Sequence, residues 1–544
     1  MRMFQLRRPV MGRVTYLVLF SLYISLFLNI IFYRQAWALL PVNSLWNLAV
    51  FLSMPLVAFS VMNILTTLAS FVWLDRLAIA VFILLSAATQ YFIWAYGIII
   101  DRSMLTNALD TTPAESFALM TPQLVLTLGL SGVVMAIAAF WVKIKQSPSR
   151  WHGLFTRGVS IMISAIVLVL IALCFYKDYA SLFRNNKELV KSISPSNSIT
   201  ASYSYYVHHR MDNLPLVKFG EDARLNPAMH TAQSKHLTIL VLGETSRAQN
   251  FSLSGYPRDT NPLLEKDNVV YFPDTTSCGT ATAVSVPCMF SGMPRKEYDD
   301  QLAHHREGLL DIVQRAGISV LWNENDGGCK GACDRVPHQD MTKLNLADYC
   351  IDGECNDEIL FKDIQKAINA MPEDGLIVLH TIGSHGPTYY RRYPPQFRKF
   401  TPTCDTNEIQ GCSQQQLVNT YDNTLLYVDY IVDKAIKLLQ AQPDNVTTSL
   451  MYLSDHGESL GENGVYLHGL PYSIAPESQK HVPMLIWLSE QYQHQHAVNY
   501  ACLQKRARTE AFSQDNLFST LLGILGVQTQ EYHSADDIVA PCKE

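Results

Sequence analysis

The chain has 544 residues, enough for two or three domains, and carries a formal net charge of −6 with only 17% charged residues. It contains no basic stretch of the kind that binds nucleic acid, so the sequence predicts no nucleic-acid partner. The longest apolar runs all precede residue 176, which separates an apolar amino-terminal part from a more polar remainder.

Five apolar runs in the amino-terminal part are each long enough to cross a bilayer. A membrane-spanning helix needs about 20 apolar residues, and soluble helices of this length seldom lack a charged face. We therefore predict five transmembrane helices rather than buried soluble ones. The runs are roughly 12–33, 45–70, 77–100, 122–142 and 157–175.

The lysines and arginines that flank these runs are unevenly distributed. Most precede the first run or follow the second and fourth, whereas the opposite side has only Arg34 and Arg102 near the spans. By the positive-inside rule the amino terminus is cytoplasmic, and five crossings place the chain after Tyr176 outside. The first run lacks a small-residue cleavage site, so we expect it to be retained and not removed as a signal peptide. The residues on the predicted cytoplasmic side are Arg2, Arg7, Arg8, Arg13, Arg76, Lys143, Lys145, Arg150 and Arg157.

Cysteine usage independently indicates an outer compartment. Of 11 cysteines, one (Cys174) lies in the fifth run and the others follow residue 176. An even number of cysteines, mostly in close pairs, is typical of disulfides in an oxidising environment. Nearest-neighbour pairing gives five bridges, although spacing does not fix connectivity, and a cysteine metal cluster at CKGAC is the competing interpretation. The paired cysteines would be Cys278, Cys288, Cys329, Cys333, Cys350, Cys355, Cys404, Cys412, Cys502 and Cys542.

The polar remainder of the chain shows two kinds of sequence pattern. Residues 176–234 are polar and irregular, which predicts a connector along the membrane surface between a transmembrane domain, 1–175, and an outer domain, 235–544. In the outer domain, short apolar runs alternate with helical patterns such as REGLLDIVQRAG, which favours the α/β class with a mostly parallel sheet flanked by helices. The predicted strands lie in HLTILVLGE, GISVLWNEN, GLIVLHTIGSHG, TSLMYLSDHGE and VPMLIWLSE.

Polar side chains stand at the ends of three of these strands. Glu244 ends the first, His385 follows the third, and Asp455 and His456 follow the fourth. Because ligands bind outside the carboxyl ends of parallel strands, we expect these side chains at one edge of the sheet. A strand-terminal acid alone is more often a helix cap or solvated. Carboxylate and imidazole together at one edge, however, predict a metal site, for which zinc is suited.

The segment SCGTATAVSVPC, residues 277–288, supplies candidate nucleophiles in Thr280, Thr282 and Ser285. A metal lowers the pKa of a bound oxygen, so a hydroxyl held beside it can cleave an ester through a covalent intermediate. Thr280 follows Gly279, which permits close backbone approach. A helix beginning there would offer its N-terminus to a phosphate. A disulfide-linked surface loop is the alternative interpretation.

Four stretches, LVLGETSRAQNFSLSGY, SCGTATAVSVPC, IGSHGP and YLSDHGESLGENGVYLHG, together resemble the membrane-bound phosphoethanolamine transferases. This family belongs to the alkaline phosphatase and sulfatase superfamily and includes the enzymes that modify lipid A in polymyxin-resistant Gram-negative bacteria. The resemblance covers nearly the whole chain. It implies five spans in the bacterial inner membrane, an alkaline-phosphatase-like catalytic domain in the periplasm, and Zn²⁺ as cofactor.

The resemblance also implies roles for individual residues. Thr280 would be both nucleophile and zinc ligand, and two histidines and a lysine would contact the transferred group. The implied zinc ligands are Glu244, Thr280, Asp455 and His456, and the implied group contacts are His385, His468 and Lys330.

The loop after the third run, DRSMLTNALDTTPAESFALM, carries Asn107, Thr111 and Glu115 at four-residue spacing, which would place them on one helix face. Pro113 disfavours a single unbroken helix, and a solvated loop is the alternative. The family uses Asn, Thr and Glu of this loop to bind the ethanolamine-bearing substrate, so the resemblance implies that role here.

The implied reaction transfers phosphoethanolamine from phosphatidylethanolamine to a lipid A phosphate through an adduct on Thr280, catalysed by a monomer, and gives resistance to cationic peptides. A core heptose or a periplasmic glucan is the alternative acceptor. A teichoic-acid-type polymerase is disfavoured by the many cysteines, and a soluble sulfatase by the five spans. An inactive lipid-binding sensor is the alternative of another class, and the complete metal and nucleophile set argues against it.

Overall fold

The computed structural model describes residues 8–40, 44–100, 102–110, 119–209, 215–227, 235–351 and 353–543. The chain divides into two compact units, which we describe separately. The first unit is Met1–Leu105 with Met120–Tyr205, and the second is Thr106–Leu119 with Tyr206–Glu544.

The apolar runs of the first unit form helices long enough to cross a membrane. The first run is a bent pair, Arg13–Phe27 and Ile30–Leu39, whose axes differ by 49° and which count as one span if taken together. The predicted set of apolar helices is thus confirmed, with four straight members and one bent pair among the described residues. The four straight helices are Leu45–Phe71, Asp75–Tyr96, Pro122–Trp141 and Arg150–Tyr179.

Arginines from three helices meet at one end of the first unit. The guanidinium groups of Arg13 and Arg157 both donate to the Ser70 carbonyl, at 3.4 Å and 3.0 Å. Arg76 donates to the Val142 carbonyl at 2.9 Å. These carbonyls lie at helix carboxyl ends, where cations are favourable partners for the unpaired acceptors.

The last apolar helix extends well beyond its predicted end. It runs from Arg150 to Asn185 and is followed by helices Lys187–Lys191 and Ser196–His209. The expectation of an irregular connector is therefore wrong for most of 176–209. Its polar residues show no apolar periodicity, but a helix, once begun, can continue through such residues because each adds a backbone hydrogen bond.

The second unit is built on a seven-stranded sheet with the order β2-β7-β6-β1-β5-β3-β4. All neighbouring strands are parallel except at β7, which runs antiparallel to both β6 and β2. The strands are β1 (Lys235–Gly243), β2 (Val270–Phe272), β3 (Ser319–Glu324), β4 (His338–Asp340), β5 (Gly375–His380), β6 (Val446–Ser454) and β7 (Met484–Leu488).

Five of these strands coincide with the predicted apolar runs, which confirms the mostly parallel α/β sheet. The central strands are buried over almost their whole length because helices cover both faces. The two short outer strands, β2 and β4, were not predicted. Each has only three residues, too few to give a recognisable pattern.

Helices cover the sheet on both sides. The long helix Gln414–Gln440 begins at Ser413, whose hydroxyl accepts a hydrogen bond from the Gln416 N–H. One buried apolar cluster of this unit includes Val286 and Leu517, from two of the helices that cover the sheet, and Trp322 from β3. The other helices of four or more residues in this unit's described part, omitting 3₁₀ turns, are Thr282–Ser291, Asp300–His305, Leu309–Arg315, Ile364–Ala370, Glu477–Lys480, Glu490–Gln495, Tyr500–Thr509 and Asn516–Ile524.

Disulfides link the second unit at five places. Each joins nearest neighbours among the ten cysteines, as the spacing predicted. Because Cys329 and Cys333 are bonded to each other, their sulfurs are not thiolate ligands, and the cysteine metal cluster at CKGAC is excluded. The bridges are Cys278–Cys288, Cys329–Cys333, Cys350–Cys355, Cys404–Cys412 and Cys502–Cys542.

Candidate active site

Two central strands bring a cluster of metal-ligating side chains together at the carboxyl edge of the sheet. Gly243 at the end of β1 pairs with Ser454 at the end of β6, so the next residues, Glu244 and Asp455, lie side by side. His456 follows, with Nε2 at 3.4 Å from a Glu244 oxygen and 3.3 Å from an Asp455 oxygen. All three side chains are fully buried, and one ligand atom from each lies within 4.8 Å of the others.

The charges of this cluster shift its pKa values in opposite directions. Burial and the neighbouring Glu244 carboxylate raise the pKa of Asp455 well above its ordinary value. Burial would also raise the pKa of Glu244, but His456 holds it well below the ordinary value. Burial alone would lower the pKa of His456, yet Asp455 and Glu244 raise it to about 10. Such concentrated negative charge around an imidazole is what a divalent cation neutralises.

The individual atoms also fit a metal ion. Asp455 Oδ2 is buried and has no hydrogen-bond donor among the described residues. His456 Nδ1 is held by the Gly457 carbonyl at 2.9 Å, so Nε2 faces the two carboxylates. Holding one ring nitrogen in this way is how proteins orient a metal-binding histidine. The residues present therefore suit a divalent metal with oxygen and nitrogen ligands.

The hydroxyl that faces the cluster belongs to Thr282 and not to Thr280. Thr282 Oγ1 donates to Glu244 Oε2 at 3.1 Å and lies 3.4 Å from His456 Nε2. Thr280 Oγ1 instead donates to the Leu470 carbonyl at 2.6 Å. The geometry therefore corrects the choice of Thr280: among the described contacts, it has no bond to this cluster.

The local fold explains this two-residue difference. The helix expected to open at Thr280 begins at Thr282, after Ala281 in an extended conformation. Gly279 does allow the close approach predicted for it, since an added Cβ would lie 2.9 Å from both Val284 and Ser285 side-chain atoms. The first turn of a helix has N–H groups without intrahelical acceptors, and these suit phosphate oxygens.

Both predicted histidines lie beside this cluster. The His468 ring centroid is 4.3 Å from that of His456 and 5.6 Å from that of His385. Burial and the His456 charge lower the pKa of His468 to about 3, so its imidazole is neutral. His468 Nδ1 lies 3.5 Å from Glu458, a buried carboxyl that also accepts from the Tyr389 hydroxyl at 3.0 Å. Glu458 was not singled out in the sequence, although it lies in the same SDHGES stretch.

The other predicted contacts are not joined to the cluster by any described interaction. Lys330 lies in the turn closed by Cys329–Cys333, at a positive φ of 50°, and in the described part of the chain its ammonium forms no hydrogen bond or ion pair. Asn107 lies in the helix Arg102–Asp110. Thr111 and Glu115 fall outside the described residues.

Three buried residues beside the cluster were missed in the sequence. Glu324 ends β3, Asp326 follows it, and His380 ends β5, so all stand at the same sheet edge as Glu244. The rule that located Glu244 also applies to the ends of these strands, in NEND and VLH, and would have identified all three residues.

The fold and the strand-end site define the chain's class. Residues 236–527, which contain the sheet and the cluster, match the family described as Sulfatase. Residues 58–210 match the family described as phosphoethanolamine transferase EptA/EptB.

Individual relatives are similar to this chain over nearly its full length. The chain is 68% identical over 538 residues to phosphoethanolamine transferase EptA of Salmonella typhimurium, covering 99% of this chain and 98% of that protein. It is 36% identical to phosphatidylethanolamine transferase Mcr-1 of Escherichia coli, covering 85% and 87%. A solved structure, the integral membrane protein lipooligosaccharide phosphoethanolamine transferase A (EptA) from Neisseria meningitidis, superposes with a TM-score of 0.95 at 43% identity, covering 98% of this chain and 100% of that one. The chain therefore belongs to the phosphoethanolamine transferase family and is a multi-pass membrane protein.

Proposed function

We propose that this protein transfers phosphoethanolamine from phosphatidylethanolamine to a phosphate of lipid A, with Thr282 as nucleophile and zinc as cofactor. The observation that carries the proposal is the Thr282 hydroxyl, which hydrogen-bonds to Glu244 beside the buried His456. A hydroxyl among metal ligands at a helix N-terminus suits attack on phosphorus, because the phosphoryl oxygens can be held by the metal and by backbone N–H groups.

The donor and acceptor are supported by the relatives. Mcr-1 is named as a phosphatidylethanolamine transferase, and the Neisseria meningitidis protein as a lipooligosaccharide phosphoethanolamine transferase. Identity across nearly the whole chain supports the same donor and a lipid A-type acceptor. Ethanolamine on lipid A would add positive charge at the outer surface and so weaken the attraction of cationic peptides such as polymyxin.

The proposed transfer has two steps. Thr282 Oγ attacks the donor phosphorus, forming an Oγ–P bond while the P–O bond to diacylglycerol breaks and diacylglycerol takes up the threonine proton. A protonated oxygen of the acceptor phosphate then attacks the same phosphorus, the Oγ–P bond breaks, and the proton released by the acceptor passes to Thr282 Oγ to restore the hydroxyl. Zinc bound by Glu244, Asp455 and His456 would supply Lewis-acid chemistry at this position.

The chain's own residues orient the hydroxyl and handle its proton. Glu244 accepts the Thr282 hydrogen bond and so fixes the direction of the hydroxyl. We assign proton transfer to His385, with the neutral His468, whose ring is 5.6 Å away, as a hydrogen-bonding group for the transferred phosphoethanolamine. A histidine near the reacting oxygen is the usual group for this task, because its ordinary pKa is close to neutral.

Paired threonine variants test the nucleophile. We expect Thr282→Ala to reduce phosphoethanolamine on lipid A at least about 1000-fold, because the change removes the oxygen that forms the adduct. Thr280→Ala is the matched control and should retain most activity, since among the described residues its hydroxyl bonds to the Leu470 carbonyl and not to the cluster. Mass spectrometry of lipid A from cells expressing each variant measures both.

The same spectra test the alternatives. Full modification by Thr282→Ala together with loss in Thr280→Ala would overturn the assignment to Thr282. Phosphoethanolamine on core heptose or a periplasmic glucan but never on lipid A phosphate would show that the acceptor is wrong. No transfer by the unaltered protein to any of these acceptors would favour an inactive lipid-binding sensor.

A further inference from the structure

A second set of buried ligand atoms adjoins the first along the carboxyl edge of the sheet. In the sheet order, β5 lies between β1 and β3, so His380, at the end of β5, stands between Glu244 and the β3 terminus. One ligand atom each from Glu244, Asp326 and His380 lies within 4.8 Å of the others. The exposed fractions of these residues are 0%, 6% and 0%.

His380 has the hydrogen-bonding pattern of a metal ligand. Its Nδ1 lies 2.8 Å from Glu324 Oε2, and the same oxygen accepts from the Trp322 indole N–H at 2.8 Å. Its Nε2 is buried, has no hydrogen-bond partner in the described part of the chain, and lies 3.6 Å from Asp326 Oδ2. In the carboxylate–histidine–metal arrangement, a carboxylate holds one ring nitrogen and the other ring nitrogen binds the metal. His380 likewise has a carboxylate on one ring nitrogen, and its other ring nitrogen is directed at further carboxylates.

His456 has the same arrangement at the first cluster. There, one ring nitrogen is held by the Gly457 carbonyl and Nε2 faces Glu244 and Asp455. At both histidines the fold therefore fixes one ring nitrogen and aims the other at buried carboxylates, with Glu244 common to both sets.

The combined cluster also gathers several acidic side chains in one buried place. Four carboxyl groups lie along this edge, and a carboxylate in a medium that solvates charge poorly needs a cationic partner. The four carboxylates are Glu244, Asp455, Glu324 and Asp326.

We propose that Glu244, Asp326 and His380 bind a second divalent cation beside the first, with Glu244 shared between the two. Two carboxylates and one imidazole suit zinc or manganese. The inference rests on the proposed function only in that the first ion must occupy Glu244, Asp455 and His456.

Metal stoichiometry of the full-length protein tests this second site. The detergent-purified chain is stripped with a chelator, reloaded with Zn²⁺, desalted and analysed for metal and protein content. We expect two equivalents per chain for the unaltered protein and one for Asp326→Asn and for His380→Gln. The matched controls Asp348→Asn and His338→Gln change exposed residues of the same types and should retain two.

Glu324→Gln provides a test that leaves every proposed ligand in place. Loss of a carboxylate behind a metal-bound histidine weakens binding by about 10- to 100-fold. A Zn²⁺ titration of this variant should therefore show one tight equivalent and one weakened equivalent, even if the ligand variants do not fold.

The outcomes separate the two proposals. One equivalent in the unaltered protein, or two in both ligand variants, would overturn the second site while leaving the proposed function intact. No bound equivalent in the unaltered protein would contradict the first ion, and with it the proposed cofactor.

Discussion

Gly383 lets one backbone segment pass directly against Glu244, a proposed metal ligand. It has a φ of 47°, and a Cβ built there would lie 2.5 Å from the Glu244 carbonyl oxygen. The next residue, Ser384, donates its N–H to that carbonyl at 3.0 Å. Position 383 thus needs glycine both for its left-handed conformation and for its lack of a side chain.

We expect Gly383→Ala to lower both stability and metal retention, because the added methyl must displace the Glu244 backbone. Gly317→Ala is the matched control: its φ is 98°, but nothing lies within 4 Å of an added Cβ. The left-handed conformation alone costs about 1–2 kcal/mol, so the control should lose only that amount. Thermal unfolding and zinc content of both proteins measure the difference. Equal losses in the two would show that the contact with Glu244 is unimportant.

The cluster at the strand ends was predictable from the sequence, whereas the hydroxyl facing it was not. Glu244 and Asp455 follow long apolar strands, so a single topological rule places them together. Thr282 depends on where a short helix begins, and the residue pattern alone does not fix that position. The adjacent Gly279 favoured Thr280. The same topological rule applies to His380, which ends β5, but His385, in the turn that follows, was the histidine chosen for this strand.

At the scale of elements, Glu307 fastens the segment after residue 215 to the helix Leu309–Arg315. Its carboxylate accepts from the Lys218 ammonium at 2.7 Å, the Phe219 N–H at 3.1 Å and the Arg315 guanidinium at 2.6 Å. Burial would raise the pKa of Glu307, but these donors lower it to about 2. The ionised form is therefore favoured in the folded chain.

This shift predicts a pH-dependent contribution to stability. A carboxyl with a pKa near 4.5 when unfolded and about 2 when folded stabilises fully above pH ~4.5, and loses that effect as pH falls towards 2. We expect Glu307→Gln to lower the melting temperature most at pH 7, with the difference from the unaltered protein shrinking between pH 5 and 3. Glu510→Gln, which breaks an exposed pair with Arg506, is the control and should change little. A difference for Glu307→Gln that is constant with pH would contradict the assignment.

Strands and helices with a long apolar pattern were predicted correctly, whereas the short strands at the sheet edges were not. The buried strands β1, β5 and β6 are continuous apolar runs, and the helix Gln414–Gln440 has a clear apolar face. The short strand β4, His338–Asp340, is wholly polar and joins the sheet only by its hydrogen bonds to β3. Such edge strands are determined by tertiary packing and leave little trace in a single sequence.

At the scale of the whole molecule, the cluster of arginines at one end of the first unit favours a cytoplasmic position for that end. Arg13, Arg76 and Arg157 all bond to helix carbonyls there, and positively charged segments are retained inside during insertion. An odd number of crossings would then place the second unit in the periplasm.

Protease treatment of spheroplasts measures this orientation. We expect a carboxyl-terminal tag to be removed by external protease without lysis, and an amino-terminal tag to be protected until the membrane is opened. Protection of both tags in intact spheroplasts would mean an even number of crossings and would contradict the periplasmic position.

The disulfides have a consequence for the order in which the second unit oxidises. Four bridges join cysteines separated by 4, 5, 8 and 10 positions, whereas Cys502–Cys542 spans 40. Each short bridge closes within a segment that contains no other cysteine, so the first oxidation partner a thiol meets is the correct one. If the second unit is exported amino end first, as its predicted periplasmic position requires, the Cys278–Cys288 segment, with Thr282 inside it, can oxidise before the last strand has crossed. Cys502–Cys542 would then form last, because Cys542 is the last of these cysteines to emerge.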